Sequence, residues 1–327
     1  MIVSYNNTNQ AWGLRNTVSS TVLSMGVQLT PVTVASEKIS FDDLVYQSPV
    51  ITMLKQNAAD ITSKLKVPLN TSVEFGDREI EMKVTSCDFA VELYPAVITL
   101  DNTYVVQSKF NLYKNAVDTL HMYSLQMREL KYVETILAQG TEYLCKFGTQ
   151  ANIPTEATEK DLREISARLK AAGMVPMFRQ FIASTAINTS GVPKAYCAIG
   201  ACSDINTLLE DLDAYNNNSF IPAYQYAGSM NYAFNCAGVH APSGIAFISS
   251  NNFNAGTKPE QYILAILATD SFYVGEATPV KDGIFKTSGA PYSPINTITK
   301  IATRTVTMSK VVREEGVIIV KASKKTA

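Results

Sequence analysis

Residues 112–146 read LYKNAVDTLHMYSLQMRELKYVETILAQGTEYLCK, and the period in this stretch decides the fold. It holds no proline and one glycine, Gly140. Tyr113, Ala116, Leu120, Tyr123, Met127, Leu130 and Leu137 recur at three-four spacing, which predicts one amphipathic helix from Leu112 to about Lys146. At about 1.5 Å per residue it would span about 50 Å, against a usual mean of about 11 to 12 residues per helix. A helix of that length serves as a spine on which other elements lie.

On its C-terminal side a second helix is expected to start at Thr158, a small polar N-cap with Asp161 three residues on. It continues through Leu162, Ile165 and Leu169 and stops at Gly173. On its N-terminal side residues 73–110 are strand-like. Ile80, Met82 and Val84 alternate with Glu79, Glu81 and Lys83, and Phe89, Val91 and Leu93 with Asp88, Ala90 and Glu92, so each strand is given one wet and one apolar face. Gly76-Asp77 marks a turn, and Tyr104 to Phe110 forms a further extended run. Before these, Phe41 to Leu65 suits short helical pieces broken at Pro49 and ended by Pro68, and residues 1–36 carry one charge, Arg15. That opening segment reads as an arm, either mobile or tied down on another surface.

Beyond the second helix the composition changes. From Val175 to Asn254 the charged residues are Arg179, Lys194, Asp204, Glu210, Asp211 and Asp213, whereas Leu112 to Gly173 has sixteen. Ten asparagines fall between Asn188 and Asn254, interleaved with Tyr196, Tyr215, Tyr224, Tyr226 and Tyr232. This is a separate domain with either an uncharged polar surface of its own or a surface packed against neighbours, since interface cores lose charge and gain tyrosine. The last third returns to strands. Tyr262 to Ala268 is a buried-strand run, and Arg304 to Val312, then Glu314-Glu315-Gly316, then Val317 to Lys321 reads as a hairpin. Helices and strands are segregated, which places the chain in the α+β class.

Composition bounds the function. The 327 residues carry 28 basic and 29 acidic side chains, with charged residues at 17% and a pI near 6.2. This argues against a polybasic nucleic-acid binder. Cys87, Cys145, Cys197, Cys202 and Cys236 are scattered and odd in number, which suggests thiols in a reducing compartment. Neither a signal-peptide pattern nor about 18 uninterrupted apolar residues occurs, so no membrane partner is expected and the chain is expected to be made in a cytoplasm.

Reactive residues are sparse. His121 falls inside the long helix. His240 and Ser243 lie in Gly238-Val239-His240-Ala241-Pro242-Ser243-Gly244, where a nucleophile and base are one reading and a turn histidine the simpler one. Cys197 and Cys202 lack the second pair a zinc site needs. Glu210-Asp211-Leu212-Asp213 with Asn216, Asn217 and Asn218 lacks the glycine and final glutamate of a calcium loop, and reads as a helix end entering a polar turn. Lys321, Lys324 and Lys325 form a small basic tail, solvated by default. No phosphate loop, dinucleotide fingerprint or metalloprotease motif occurs. Catalytic, cofactor and metal residues are therefore all expected to be none. The low-charge arm, strand pair and tyrosine-rich domain leave surface that one subunit would struggle to cover, and self-association accounts for it.

The order of arm, long β-hairpin loop, spine helix, second helix, loop-rich domain and returning strands resembles the major capsid proteins of tailed bacteriophages with the Hong Kong 97 fold. Local motifs resemble the N-four-like podovirus branch: Leu162 to Met174 (LREISARLKAAGM), Tyr196-Cys197-Ala198-Ile199, Asp204 with Leu208 and Leu212, Phe220-Ile221-Pro222, Tyr226, Gly238, Phe247-Ile248-Ser249-Ser250 and Ala268-Thr269-Asp270-Ser271-Phe272. The chain departs from that branch at Gly238-Val239-His240 and in having Trp12 as its single tryptophan. The resemblance implies a Hong Kong 97-type capsid fold with an N-terminal arm (1–59), an extended β-hairpin loop (60–111), a peripheral domain around the spine helix (112–175 and 258–327) and an axial domain (176–257). It implies a virion coat subunit forming hexamers and pentamers of an icosahedral shell around double-stranded DNA, made in the host bacterial cytoplasm. Its partners would be copies of itself, with portal, scaffold or decoration proteins besides, and no specific nucleic-acid contact. Deleting residues 76–100 is expected to spare the fold and abolish the shell. The other readings are a tail or adhesion component, against which the long helix counts, and a hydrolase using Ser243 and His240.

Overall fold

Thr158 and Asp161 act as their spacing predicts. The Thr158 side chain accepts from the Asp161 amide while the Asp161 carboxylate accepts from the Thr158 amide, a reciprocal cap that starts the second helix. Gly173, at φ +70°, ends it, and the Met174 and Gly173 amides bond back to the Leu169 and Lys170 carbonyls. This computed structural model describes residues 2–4, 31–41, 50–56, 84–101, 112–149, 154–177, 194–213, 219–222, 236–254, 261–277, 284–288 and 298–324. The strands are β1 (Ile2–Ser4), β2 (Glu37–Phe41), β3 (Val50–Gln56), β4 (Val84–Asp101), β5 (Thr141–Leu144), β6 (Tyr196–Gly200), β7 (Phe220–Pro222), β8 (Cys236–His240), β9 (Ile245–Ser249), β10 (Gln261–Leu267), β11 (Phe272–Ala277), β12 (Ile284–Ser288), β13 (Ile298–Val311) and β14 (Val317–Ser323). The helices are α1 (Pro31–Val34), α2 (Leu112–Gln139), α3 (Glu159–Ala171) and α4 (Cys202–Asp211).

The chain forms two compact units, one comprising Asp43–Val91 and the other Met1–Asp42 with Glu92–Ala327. In the smaller unit β3 runs antiparallel to the first part of β4, from Val50 opposite Ala90 to Gln56 opposite Val84. The larger unit holds two sheets. In the first, β1, β4, β13, β11 and β2 follow one another, with β12 also on β13. The second runs β5-β14-β10-β6-β9-β8-β7.

The second sheet is covered on both faces, which is why β6 is buried at every residue. Tyr196 and Ala198 face a core shared with Leu162, Ile165 and Leu169 of α3 and Ile205, Leu208 and Leu209 of α4. Cys197 and Ile199 face the opposite core, with Tyr132, Val133 and Ile136 of α2 and Phe272 and Val274 of β11. The alternation is the period-two consequence of a strand between two apolar layers. A third core joins Ala96, Ile98 and Leu100 of β4 to Ala116 and Leu120 of α2 and Ile301 of β13.

Four expectations change. The spine helix ends at Gln139 and not near Lys146, because Thr141–Leu144 pairs in parallel with Ile318–Lys321. The stretch Arg304–Lys321 is not a hairpin: β13 pairs in the first sheet and β14 in the second, and Glu314–Gly316 is the short 3-10 turn that carries the chain between them. Val50–Gln56, read as helical, is a strand, since its β-branched and apolar residues find a partner in β4. The break expected between Val84 and Phe89 is absent, since β4 runs from Val84 to Asp101 without interruption; the strand expected over Glu79 to Lys83, the Gly76-Asp77 turn and the run from Tyr104 to Phe110 lie outside the described residues. The strand expected over Tyr262 to Ala268 is found at Gln261–Leu267, central in the second sheet, with Ala268 buried just past its end. Both described parts of the opening segment are held by the chain itself: Ile2–Ser4 pairs with Val97–Thr99, and Pro31–Val34 lies against α2.

Candidate functional site

The spine helix is fastened along β13 by side chains on matching pitch. Tyr113 OH and Thr299 Oγ1 lie 3.3 Å apart, Thr305 Oγ1 donates to Ser124 Oγ at 2.9 Å, Thr135 Oγ1 and Ser309 Oγ lie 2.7 Å apart, and the Val311 amide donates to Gln139 Oε1 at 3.0 Å. The 12 steps from Thr299 to Val311, at about 3.3 Å each, cover about 40 Å; the 26 steps from Tyr113 to Gln139, at about 1.5 Å each, cover about 39 Å. Helix and strand thus keep step over their whole common length.

One carboxylate is sealed in this region. Glu129 is 0% exposed and accepts from the Val32 amide at 2.7 Å, the Thr33 amide at 3.2 Å and the Thr33 hydroxyl at 3.1 Å. These donors belong to α1, so Glu129 anchors the end of the opening segment to the spine. Burial pushes its pKa up, against the Val32 and Thr33 donors and the Ser250 hydroxyl that pull it down. Beside it, Tyr132 meets Phe272 edge-on with ring centres 6.2 Å apart. The apolar spacing of α2 gave no sign of Glu129, because a glutamate in a helix reads as a solvated position.

The candidate reactive residues fall as follows. His121 is exposed on α2. His240 and Ser243 are brought together, with Nδ1 2.8 Å from Ser243 Oγ, but they are 0% and 2% exposed, so no substrate reaches the hydroxyl in this structure. Glu159 Oε1 stands 3.7 Å from His240 Nε2. Burial holds the His240 pKa down, Glu159 opposing and Arg163 reinforcing that effect. Cys197 is buried on β6 and Cys202 is exposed at the start of α4, and both are free thiols. Glu210 and Asp211 close α4, Leu212 caps it, and Asp213 follows at φ +49°; Asn216, Asn217 and Asn218 lie outside the described residues. Lys321 pairs with Glu142 and Lys324 with Asp204 at 3.7 Å, while Lys325 lies outside the described residues. Among the described residues no three histidine, cysteine or carboxylate side chains gather to hold a metal, and no helix is long and apolar enough to cross a membrane.

Val50, Leu93, Leu144, Phe147 and Val175 are large apolar side chains left between 41% and 56% exposed. Leu93 was expected on the apolar face of its strand, yet it is open while Phe89 is buried. Leu144 and Phe147 flank Lys146, whose ammonium lies 5.1 Å from the Phe147 ring and 5.9 Å from the Tyr143 ring. Arg168 covers the Tyr143 ring at 4.9 Å, and Glu164 ties both cations together at 2.8 and 2.7 Å. Apolar, aromatic and arginine side chains in one neighbourhood are what interfaces between proteins enrich.

No family model and no curated protein matches the chain. Solved structures do. The head structure of Helicobacter pylori bacteriophage KHP40 superposes with a TM-score of 0.65 over 99% of this chain and 98% of its own, at 8% identity. The capsid subunit of cyanophage Pam1 gives 0.60 over 96% and 97%, at 11% identity. The SrpI encapsulin complex of Synechococcus elongatus gives 0.58 over 99% and 98%, at 7% identity. With so little identity, what is shared is the order and packing of elements along the full length. The chain has the Hong Kong 97-type capsid fold, the fold of tailed-bacteriophage capsid subunits and of encapsulin shells.

Proposed function

We propose that this chain is the major capsid protein of a tailed bacteriophage, assembling as hexamers and pentamers into an icosahedral shell around packaged double-stranded DNA. The observation that carries the reading is the two-way coverage of 99% and 98% with a chain of a phage head structure. The physical chemistry agrees. A formal net charge of −1 leaves the chain without a strong hold on DNA, and a shell filled by force is better served by weak phosphate binding. Head-to-tail contacts between unlike patches close into rings and shells where a two-fold contact stops at a dimer.

On this reading residues 1–59 form the arm, 60–111 the extended loop, 112–175 with 258–327 the peripheral domain, and 176–257 the axial domain. Pairing of β3 with β4 adds residues 50–56 to the base of the loop. Pairing of β10 with β6, and of β14 and β5 beyond it, extends the axial sheet with strands from both peripheral segments. The chain works by assembly and has no catalytic centre; its partners are its own copies, with portal, scaffold or decoration proteins besides.

Electron microscopy of the expressed chain, alone and with the neighbouring head genes, tests the proposal. Rings, sheets or closed shells are expected. A monomer in every salt condition and every co-expression overturns it, and shells that enclose a protein cargo and exclude DNA in the producing cell replace the phage reading with an encapsulin one.

A further inference from the structure

His240 ends β8 with its imidazole sealed at 0% exposure. Nδ1 lies 2.8 Å from Ser243 Oγ within the turn to β9, and the Ser243 hydroxyl is aimed at the His240 carbonyl oxygen at 3.4 Å. With the hydroxyl proton on that side, Ser243 Oγ accepts from Nδ1–H, and Nε2 is left as the lone-pair nitrogen. Nε2 is buried without a hydrogen-bond partner, and the atom it faces, at 3.7 Å, is Glu159 Oε1 in the first turn of α3. A lone pair and a carboxylate oxygen cannot bond. A proton on Nε2 converts them into donor and acceptor.

Glu159 is held at present by Arg163, whose Nη2 donates to Oε2 at 3.0 Å on the exposed side of the helix. Glu159 and Arg163 are the charged groups that act on the imidazole from α3. From the strands on either side the register partners are Phe220 of β7 and Ile245 of β9, neither of which titrates. Among the described residues Ser243 adds its hydroxyl. The 3.7 Å gap therefore has one chemical event that can close it.

We propose that His240 is a proton-operated clasp, in which protonation at Nε2 draws the Glu159 carboxylate from Arg163 and ties the N-terminus of α3 to the β8–β9 hairpin. The carboxylate stays in the first turn of α3 throughout, where the helix end favours negative charge. Burial keeps the clasp open at neutral pH, because the charged imidazole must be desolvated. The inference concerns this chain's own fold and stands whether or not it forms a shell.

The chain has two histidines, so its imidazoles give two sets of NMR signals. In the full-length chain the His240 nitrogens are expected to report the Nδ1–H tautomer at neutral pH and to titrate below the ordinary imidazole value of 6.5. Glu159→Gln should move the His240 midpoint further down by about 0.5 pH or more, and Arg163→Ala should move it up. Both changes lie on the surface of α3 and spare the Thr158–Asp161 cap, so the fold persists in each. An Nε2–H tautomer at neutral pH, or a His240 midpoint that ignores Glu159→Gln, overturns the clasp.

Discussion

Buried charge is tolerated only when hydrogen bonds replace water, and Glu129 shows how narrow that margin is. Its oxygens meet two amides and a hydroxyl of α1. Glu129→Leu keeps the volume and strands those donors, so it should cost about 2 to 4 kcal/mol in urea unfolding, while Glu129→Gln, which retains one acceptor oxygen, should cost less. Because burial raises its folded-state pKa above the ordinary 4.5, its titration stabilises the fold below that pH, and this contribution is lost as pH rises through the folded value. The stability difference between wild type and Glu129→Gln should therefore shrink from acid toward neutral pH. His240 has the opposite sign. Its folded-state pKa lies below 6.5, so the unfolded chain binds more protons and stability falls as pH drops below 6.5. Thermal melts from pH 7 to 5 should show that decline in wild type and a flatter curve in His240→Asn. The sequence placed His240 and Ser243 three residues apart in a turn, and the structure puts them in contact there. The Glu129 anchor was not legible in the sequence, since its partners lie 96 and 97 residues away and nothing local distinguishes it from a solvated glutamate.

Elements whose ends are set locally were readable, and those whose ends are set by distant partners were not. Helix α3 carries its own cap, its own stop and its own apolar stripe, and it forms where those residues place it. Helix α2 starts where its period starts but stops early, because β14, well over a hundred residues further on, takes Thr141–Leu144 as a strand. The false hairpin at Arg304–Lys321 has the same origin: its turn chemistry is sound, and the partners of its two strands lie elsewhere. Gly140 marks the junction. A Cβ there would lie 2.9 Å from the Ile136 carbonyl oxygen and 2.9 Å from the Ile319 side chain, so Gly140→Ala should destabilise by about 1 to 3 kcal/mol despite its better helix propensity. Chemical denaturation decides the sign. The α2–β13 seam makes a second claim at this scale: Ser124→Ala and Thr305→Val should each destabilise, and the double variant should cost less than their sum by about 0.5 to 1 kcal/mol, since the pair removes donor and acceptor together.

At the scale of the molecule, assembly and folding can be separated by cutting the chain where its own geometry already closes. Deleting residues 76–100, which the sequence suggested as a harmless way to remove the loop, would take Ala96, Ile98 and Leu100 out of a core shared with α2 and β13. Losing the buried Ile98 and Leu100 side chains costs about 2 to 5 kcal/mol apiece, together comparable with the whole stability of a domain. Strands β3 and β4 offer a cleaner cut. Their antiparallel register ends with Gln56 opposite Val84, the geometry that a two-residue Asn-Gly turn closes. Replacing residues 57–83 with Asn-Gly keeps every described strand and every core side chain named above. The shortened chain should unfold at a denaturant midpoint close to that of the full chain. If the loop joins one subunit to the next, mixing the shortened chain with the other head proteins should give free subunits in electron micrographs where the full chain gives shells. Shells of normal size and yield from the shortened chain would remove the loop from the assembly contacts and leave the apolar and aromatic residues around Leu144 and Phe147 as the surface to test next.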